Sequence, residues 1–140
     1  MKLDKIAILA KITALECDKI QNRILAKYDL TSAQFKILRY LYSEPDESVR
    51  LIDLEKFFSL RHPTAIGIIQ NLEKKGLIIR KANPHHARSR LIVLTEKART
   101  METQLDQAAT AIENTLTEKI NEEEKNLLLS IMKKMLAIEE

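Results

Sequence analysis

Every glycine and proline in this 140-residue chain, two and three respectively, falls between Pro45 and Pro84. In a helix interior glycine costs about 1 kcal/mol and proline about 3 kcal/mol relative to alanine. Residues 1–44 and 85–140 contain neither, so long unbroken helices are expected at both ends and turns in the middle. The apolar spacing agrees. Leu3, Ile6, Leu9 or Ala10, Ile12, Ile20 and Ile24 return at helical intervals and predict a helix over 3–27, broken at Asp29-Leu30-Thr31. Thr31 and Gln34 form a capping-box pattern that starts a helix over 32–43, with Phe35, Leu38, Leu41 and Tyr42 inward. After Thr95 a helix is expected to about Thr117, with Met101, Leu105, Ala108, Ile112 and Leu116 on one stripe. Asn121 and Glu124 cap a last helix ending near Ile138.

The middle is finely punctuated. A loop around Pro45 leads to a short helix over about 51–58, and Ser59-Leu60-Arg61-His62 is a turn. A second helix begins at Pro63-Thr64, where a missing amide costs nothing, and stops at Gly76. Leu77-Ile78-Ile79 then reads as a strand, Arg80 to Arg90 as a cationic tip, and Leu91-Ile92-Val93-Leu94 as the returning strand. The fold class is therefore mainly α with a small β-hairpin wing: a winged helix-turn-helix lobe between N- and C-terminal helices.

Net charge is +3, but it is unevenly spread. Residues 1–73 carry +1, residues 74–99 carry +7, and residues 100–140 carry −5. A basic run is ordinarily a solvated turn; beside a helix-turn-helix it marks a phosphate-facing surface and points to double-stranded DNA as partner. Apolar stripes on 3–27, 95–117 and 122–138 exceed what so small a body can cover. An intrachain bundle is one reading; a symmetric homodimer holding two recognition helices about 34 Å apart is the stronger. The residues assigned to it are Leu3, Ile6, Met101, Leu105, Ile112, Leu116, Leu128, Met132 and Met135.

Other classes are disfavoured. Cys17 is the sole cysteine, so no intrachain disulfide forms and a reducing cytoplasm is the default. No run approaches the ~18 apolar residues of a membrane span, and Asp4, Lys5 and Lys11 interrupt any signal-peptide pattern. There is no phosphate loop or catalytic-triad signature, so no enzyme activity is expected, and no cofactor. His85-His86 lacks the further ligands of a metal site. No aromatic residue interrupts the basic segment, which disfavours RNA or single strands.

On the exposed side of the second helix of the motif lie Arg61, His62, Thr64, Gly67, Ile68 and Asn71, the candidates for base or phosphate contact, while Ala65, Ile69 and Leu72 face the core. On the wing the candidates are Lys81, His86, Arg88 and Arg90.

Three stretches resemble the MarR family of bacterial transcriptional regulators: Leu30-Thr31-Ser32-Ala33-Gln34-Phe35-Lys36-Ile37-Leu38, the run from Pro63 through Asn71-Leu72-Glu73-Lys74-Lys75-Gly76-Leu77-Ile78, and Arg88-Ser89-Arg90-Leu91-Ile92-Val93-Leu94-Thr95-Glu96-Lys97. The resemblance follows the whole chain in element order. It implies one domain over 1–140, with a DNA-binding lobe at 30–97 and dimerisation regions at 1–28 and 98–140. It further implies a homodimer on a pseudo-palindromic operator, usually repressing, and often released by a small-molecule effector or by oxidation. By the same resemblance Arg88 sits at the wing tip and enters the minor groove, and Tyr28 and Arg23 are candidates to line an effector pocket. Two positions depart from the pattern. His86 stands where the family often carries an acid that holds the wing arginine, and Ala98 stands where a glycine is usual. Gly67 replaces the long polar or basic residue of many relatives. Two alternatives stay open: a winged-helix protein–protein adaptor, and a redox-responsive regulator using Cys17.

Overall fold

The computed structural model describes residues 2–138. Seven α-helices and one hairpin follow in the order α1 (Ile6–Leu25), α2 (Ser32–Ser43), α3 (Leu51–Phe58), α4 (His62–Lys74), β1 (Ile78–Ala82), β2 (Arg90–Leu94), α5 (Glu96–Thr100), α6 (Glu102–Leu116) and α7 (Glu122–Met135), with a 3-10 turn, Ala26–Tyr28, after α1.

Local chemistry sets most boundaries. Thr31 Oγ1 accepts from the Gln34 amide while the Gln34 side chain accepts from the Thr31 amide, closing the box that starts α2; Asn121 and Glu124 do the same for α7. At the α3 start the Asp53 carboxylate accepts from the Arg50 amide at 2.8 Å and from its guanidinium at 2.9 Å. That guanidinium holds the Asp53 carboxyl below the usual carboxylate range. Helix α4 ends in a Schellman motif: Gly76 at φ +73°, its amide on the Glu73 carbonyl at 2.9 Å, and the Leu77 amide on the Leu72 carbonyl at 3.0 Å. Leu72 and Leu77 are both buried beneath it. Ser59, at φ +52°, makes the tight turn from α3 into α4.

Two boundaries differ from the sequence expectation. Helix α1 begins at Ile6, so Leu3 precedes it. The single helix expected over 95–117 is interrupted at Met101, whose amide bonds the Ala98 carbonyl at 3.1 Å. That carbonyl also accepts from the Tyr42 hydroxyl. A carbonyl serving a three-residue turn and a phenol draws the helix tight at that point. Burial, with Glu102 and Asp106 nearby, pushes Tyr42 up to about 12 and keeps it a donor.

Strands β1 and β2 are antiparallel, with Ile78 opposite Leu94 and Ala82 opposite Arg90. Leu91, Ile92, Val93 and Leu94 of the returning strand are all buried, on both faces of the hairpin. A third segment flanks it, with Arg50 bridging to Leu91 and the Ile92 amide donating to the Val49 carbonyl at 2.8 Å, and α2, α3 and α5 pack against it. Strand β2 is thus central, covered on both faces.

One core joins the motif to the flanking helices. Leu25, Leu38, Leu54, Ile69, Leu72 and Leu105 are fully enclosed in it, and Ala98, Ala108 and Ile112 complete it from α5 and α6. Leu105 and Ile112, assigned from sequence to a dimer face, are buried within the chain, and Met101 and Leu116 pack partly buried against the same core. The helix α6 stripe covers α1 instead of a second copy, because α1 lies alongside it. By contrast, α7 has no buried residue, and Leu128, Met132 and Met135 are exposed on it; Ile6, Leu9, Ile12 and Leu15 of α1 are exposed as well. No helix among the described residues is long and apolar enough to cross a membrane.

Candidate nucleic-acid interface

Helix α4 starts with Arg61 as N-cap and Pro63 in its first turn, and no side chain caps its amides. Its N-terminus is therefore free to meet an anion. Ala65, Ile69 and Leu72 are fully buried and fix the helix's rotation, which leaves Arg61, His62, Thr64 and Asn71 exposed. Gly67 lies on this outer side, and a Cβ there would meet no atom within 4 Å. Ile68 departs from its expected place. It is partly buried, packs against the core, and lines a small cavity with Ile37, Phe58 and Leu60. One helical step from Leu72 and Ala65, it belongs to the inner edge of the stripe. Gln70, exposed on the next turn from Gly67, was missed; its position three residues beyond Gly67 and opposite the buried stripe was the available signal.

The hairpin strands run further than the apolar triplet suggested, so Lys81 and Arg90 sit on strands and the tip is residues 83–89. Asn83 organises that tip: its Nδ2 donates to Ser89 Oγ at 2.9 Å, and its Oδ1 accepts from the His85 amide at 3.0 Å. The His86 amide donates to the Asn83 carbonyl at 3.2 Å. The tip holding Arg88 is thus shaped by an amide side chain, without the acid that His86 replaces.

The cations of 74–99 are not one uniform phosphate surface. Lys75 Nζ donates to the Asp29 carbonyl and, at 2.8 Å, to Gln34 Oε1; Lys97 Nζ donates to the Lys75 carbonyl at 2.8 Å. Both serve carbonyls left open where a helix or turn ends. Arg80 pairs with Glu73, Arg99 with Asp46, and Lys81 with Glu47, whose carboxylate raises the Lys81 ammonium above its ordinary value. Lys81, expected on phosphate, therefore already has an acid. Among the described residues Arg61, Arg88 and Arg90 have no such intrachain partner. Between α3, the start of α4 and the wing lies a cleft of about 440 Å³ lined by Arg50, Glu55, His62, Arg80, Arg88 and Arg90. The fold has brought candidates from helix and wing to one opening.

Cys17 is half-buried, 3.5 Å from the Gln21 amide nitrogen. Burial first, then Asp18, pushes its thiol up, away from the thiolate an oxidant sensor needs. Tyr28 packs against the core with Lys27 above its ring, and Arg23 is exposed in the last turn of α1. Among the described residues no group of three or more His, Cys, Asp or Glu is placed to hold a metal.

A helix-turn-helix whose second helix is uncapped and exposed, flanked by a three-segment basic wing, defines a winged helix-turn-helix protein. Residues 28–89 match the model of the MarR family. The chain is similar over 95% of its length to MepR of S. aureus in its DNA complex (26% identity, 97% of that chain, TM-score 0.82). It is similar over 94% to a mutant MarR from E. coli complexed with operator DNA (25% identity, 93% of that chain, TM-score 0.83). A MarR-family transcriptional regulator from Rhodococcus sp. RHA1 shares the fold at 20% identity over 96% of this chain and 95% of that one, with a TM-score of 0.87. The chain shares the winged helix-turn-helix fold of these regulators, and its residues 28–89 carry the MarR-family match.

Proposed function

We propose that the protein is a sequence-specific double-stranded DNA-binding transcriptional regulator that acts in the cytoplasm as a homodimer on a pseudo-palindromic operator. It represses its targets and is released by a small-molecule effector. Residues 30–97 form the DNA-binding lobe, and 1–28 with 98–140 form the dimerisation region. The observation that carries the reading is that Arg61, Arg88 and Arg90, without intrachain partners among the described residues, flank the uncapped N-terminus of α4. Cations held beside free helix amides, on the side away from the core, suit phosphate on either side of an inserted helix. The DNA complexes of MepR and of E. coli MarR support the same use of this fold. Support for the dimer comes from the apolar side chains that α1 and α7 leave uncovered.

The test is binding to a random-sequence duplex and to a duplex selected from a pool, at several salt concentrations, with wild type and Arg88→Ala. The expected result is steep salt dependence, two protomers per site, a selected inverted repeat, and a loss of about 1–3 kcal/mol for Arg88→Ala. A folded dimer with no salt-dependent duplex binding would point to the adaptor instead.

A further inference from the structure

One carboxylate sits where a phosphate-facing surface has no electrostatic use for it. Glu55, on α3, lines the cleft with Arg50, Arg80, Arg88 and Arg90, and is the acid among its lining residues. Its side chain is 13% exposed, while that of His62, the first residue of α4, is 65% exposed. Both Glu55 oxygens face His62 Nδ1, at 3.3 and 3.4 Å. An ionised carboxylate only accepts, so the proton between them resides on Nδ1. Nε2 has no hydrogen-bond partner among the described residues.

The placement has a chemical consequence. A neutral imidazole free in water mostly carries its proton on Nε2; which nitrogen carries it in a protein is set by the bond the other one makes. Glu55 reverses the ordinary preference, so Nε2 of neutral His62 becomes an acceptor. In the major groove, the base-edge donors are the amino groups of adenine and cytosine. We propose that Glu55 is a positioning residue for base readout: it fixes His62 as the Nδ1–H tautomer, so that Nε2 accepts from the amino group of an adenine or cytosine. The inference rests on the DNA-binding reading above and deepens it. It also accounts for a negative charge in a cationic cleft: the acid weakens attraction to every duplex and sharpens the choice among them.

Two measurements on the full-length protein test it. In the first, ring-nitrogen NMR of the free protein with labelled histidine, at a pH where the ring is neutral, reports the tautomer of His62. Nδ1–H is expected in wild type and Nε2–H in Glu55→Ala. In the second, fluorescence anisotropy gives the ratio of affinities for a selected duplex and a random one. Glu55→Ala should lose on the order of 10-fold of that ratio, while binding the random duplex at least as tightly as wild type, which also shows that the variant is folded. His62→Ala should lose the same factor, and the double variant no more than either. His62→Ala carries the test if Glu55→Ala fails to fold. An Nε2–H tautomer in wild type, an undiminished ratio in Glu55→Ala or His62→Ala, or additive losses would each overturn the inference. Absence of salt-dependent duplex binding by wild type would overturn the DNA-binding reading and this inference with it, a result distinct from any change of ratio.

Discussion

At position 67 the outer side of α4 has room and no side chain. A Cβ would meet nothing within 4 Å, and the Gly67 backbone is helical, so a larger residue costs no strain. Gly67→Lys should remain folded, bind a random duplex more tightly, and steepen the salt dependence of log affinity by about one, measured by anisotropy titration. A flat response would mean that this side of α4 does not approach phosphate. Asp53 supports a prediction of pH dependence. Its carboxyl is held low by the Arg50 hydrogen bond, so its stabilisation is present above the ordinary carboxylate range and is lost as pH falls through its lowered folded value. Asp53→Ala should cost about 0.5–2 kcal/mol near neutrality, the usual cost of losing a helix cap. Urea melts should show wild type and variant converging in acid; a gap that persists there would exclude the ionised cap as its source. For Lys81 and the cations paired around it, charge was legible from residue type, but engagement was not. Whether a lysine meets DNA or Glu47 depends on a loop 34 positions away in the chain.

Among elements, the α4–β1 junction has the most demanding geometry. Gly76 lies at φ +73°, a conformation that costs an L-residue roughly 1–2 kcal/mol. Gly76→Ala should destabilise by about that amount and lower Tm by several degrees in a thermal melt, even though an added Cβ would meet only Lys97 Cδ, at an unstrained 4.0 Å. An unchanged Tm would show that the turn relaxes. This junction, the capping boxes at Thr31 and Asn121, and the two-helix motif were readable because each is closed by residues a few positions apart. The break at Met101 was not, because it involves a hydroxyl from Tyr42 on another helix. Nor was burial of all of β2, since the segment that flanks it, Val49-Arg50, has no strand pattern of its own and the helices packed on it come from distant parts of the chain.

For the whole molecule, the apolar residues sort into two groups that periodicity alone treats alike. Leu105 and Ile112 are enclosed against α1, while Leu128, Met132 and Met135 on α7 and Ile6, Leu9, Ile12 and Leu15 on α1 remain exposed. If the second group forms the dimer, Leu128→Glu with Met132→Glu should dissociate it without unfolding the lobe. Sedimentation should then report a monomer with retained helicity, and operator affinity should fall steeply as the second half-site is lost. A dimer that survives both charges would place the interface elsewhere.

The order of the elements up to β2, the wing, the exposed start of α4 and the concentration of positive charge were legible in the residues, because these follow from short-range rules: helix period, capping, glycine and proline. Docking of distant elements settled which stripe is core and which is left uncovered, and which cations are taken up by helix carbonyls and acids. It also turned Ile68 inward and set Glu55 against His62. Those outcomes depend on where distant elements dock, and the contribution of a charge or an apolar face is set by the neighbour it meets there.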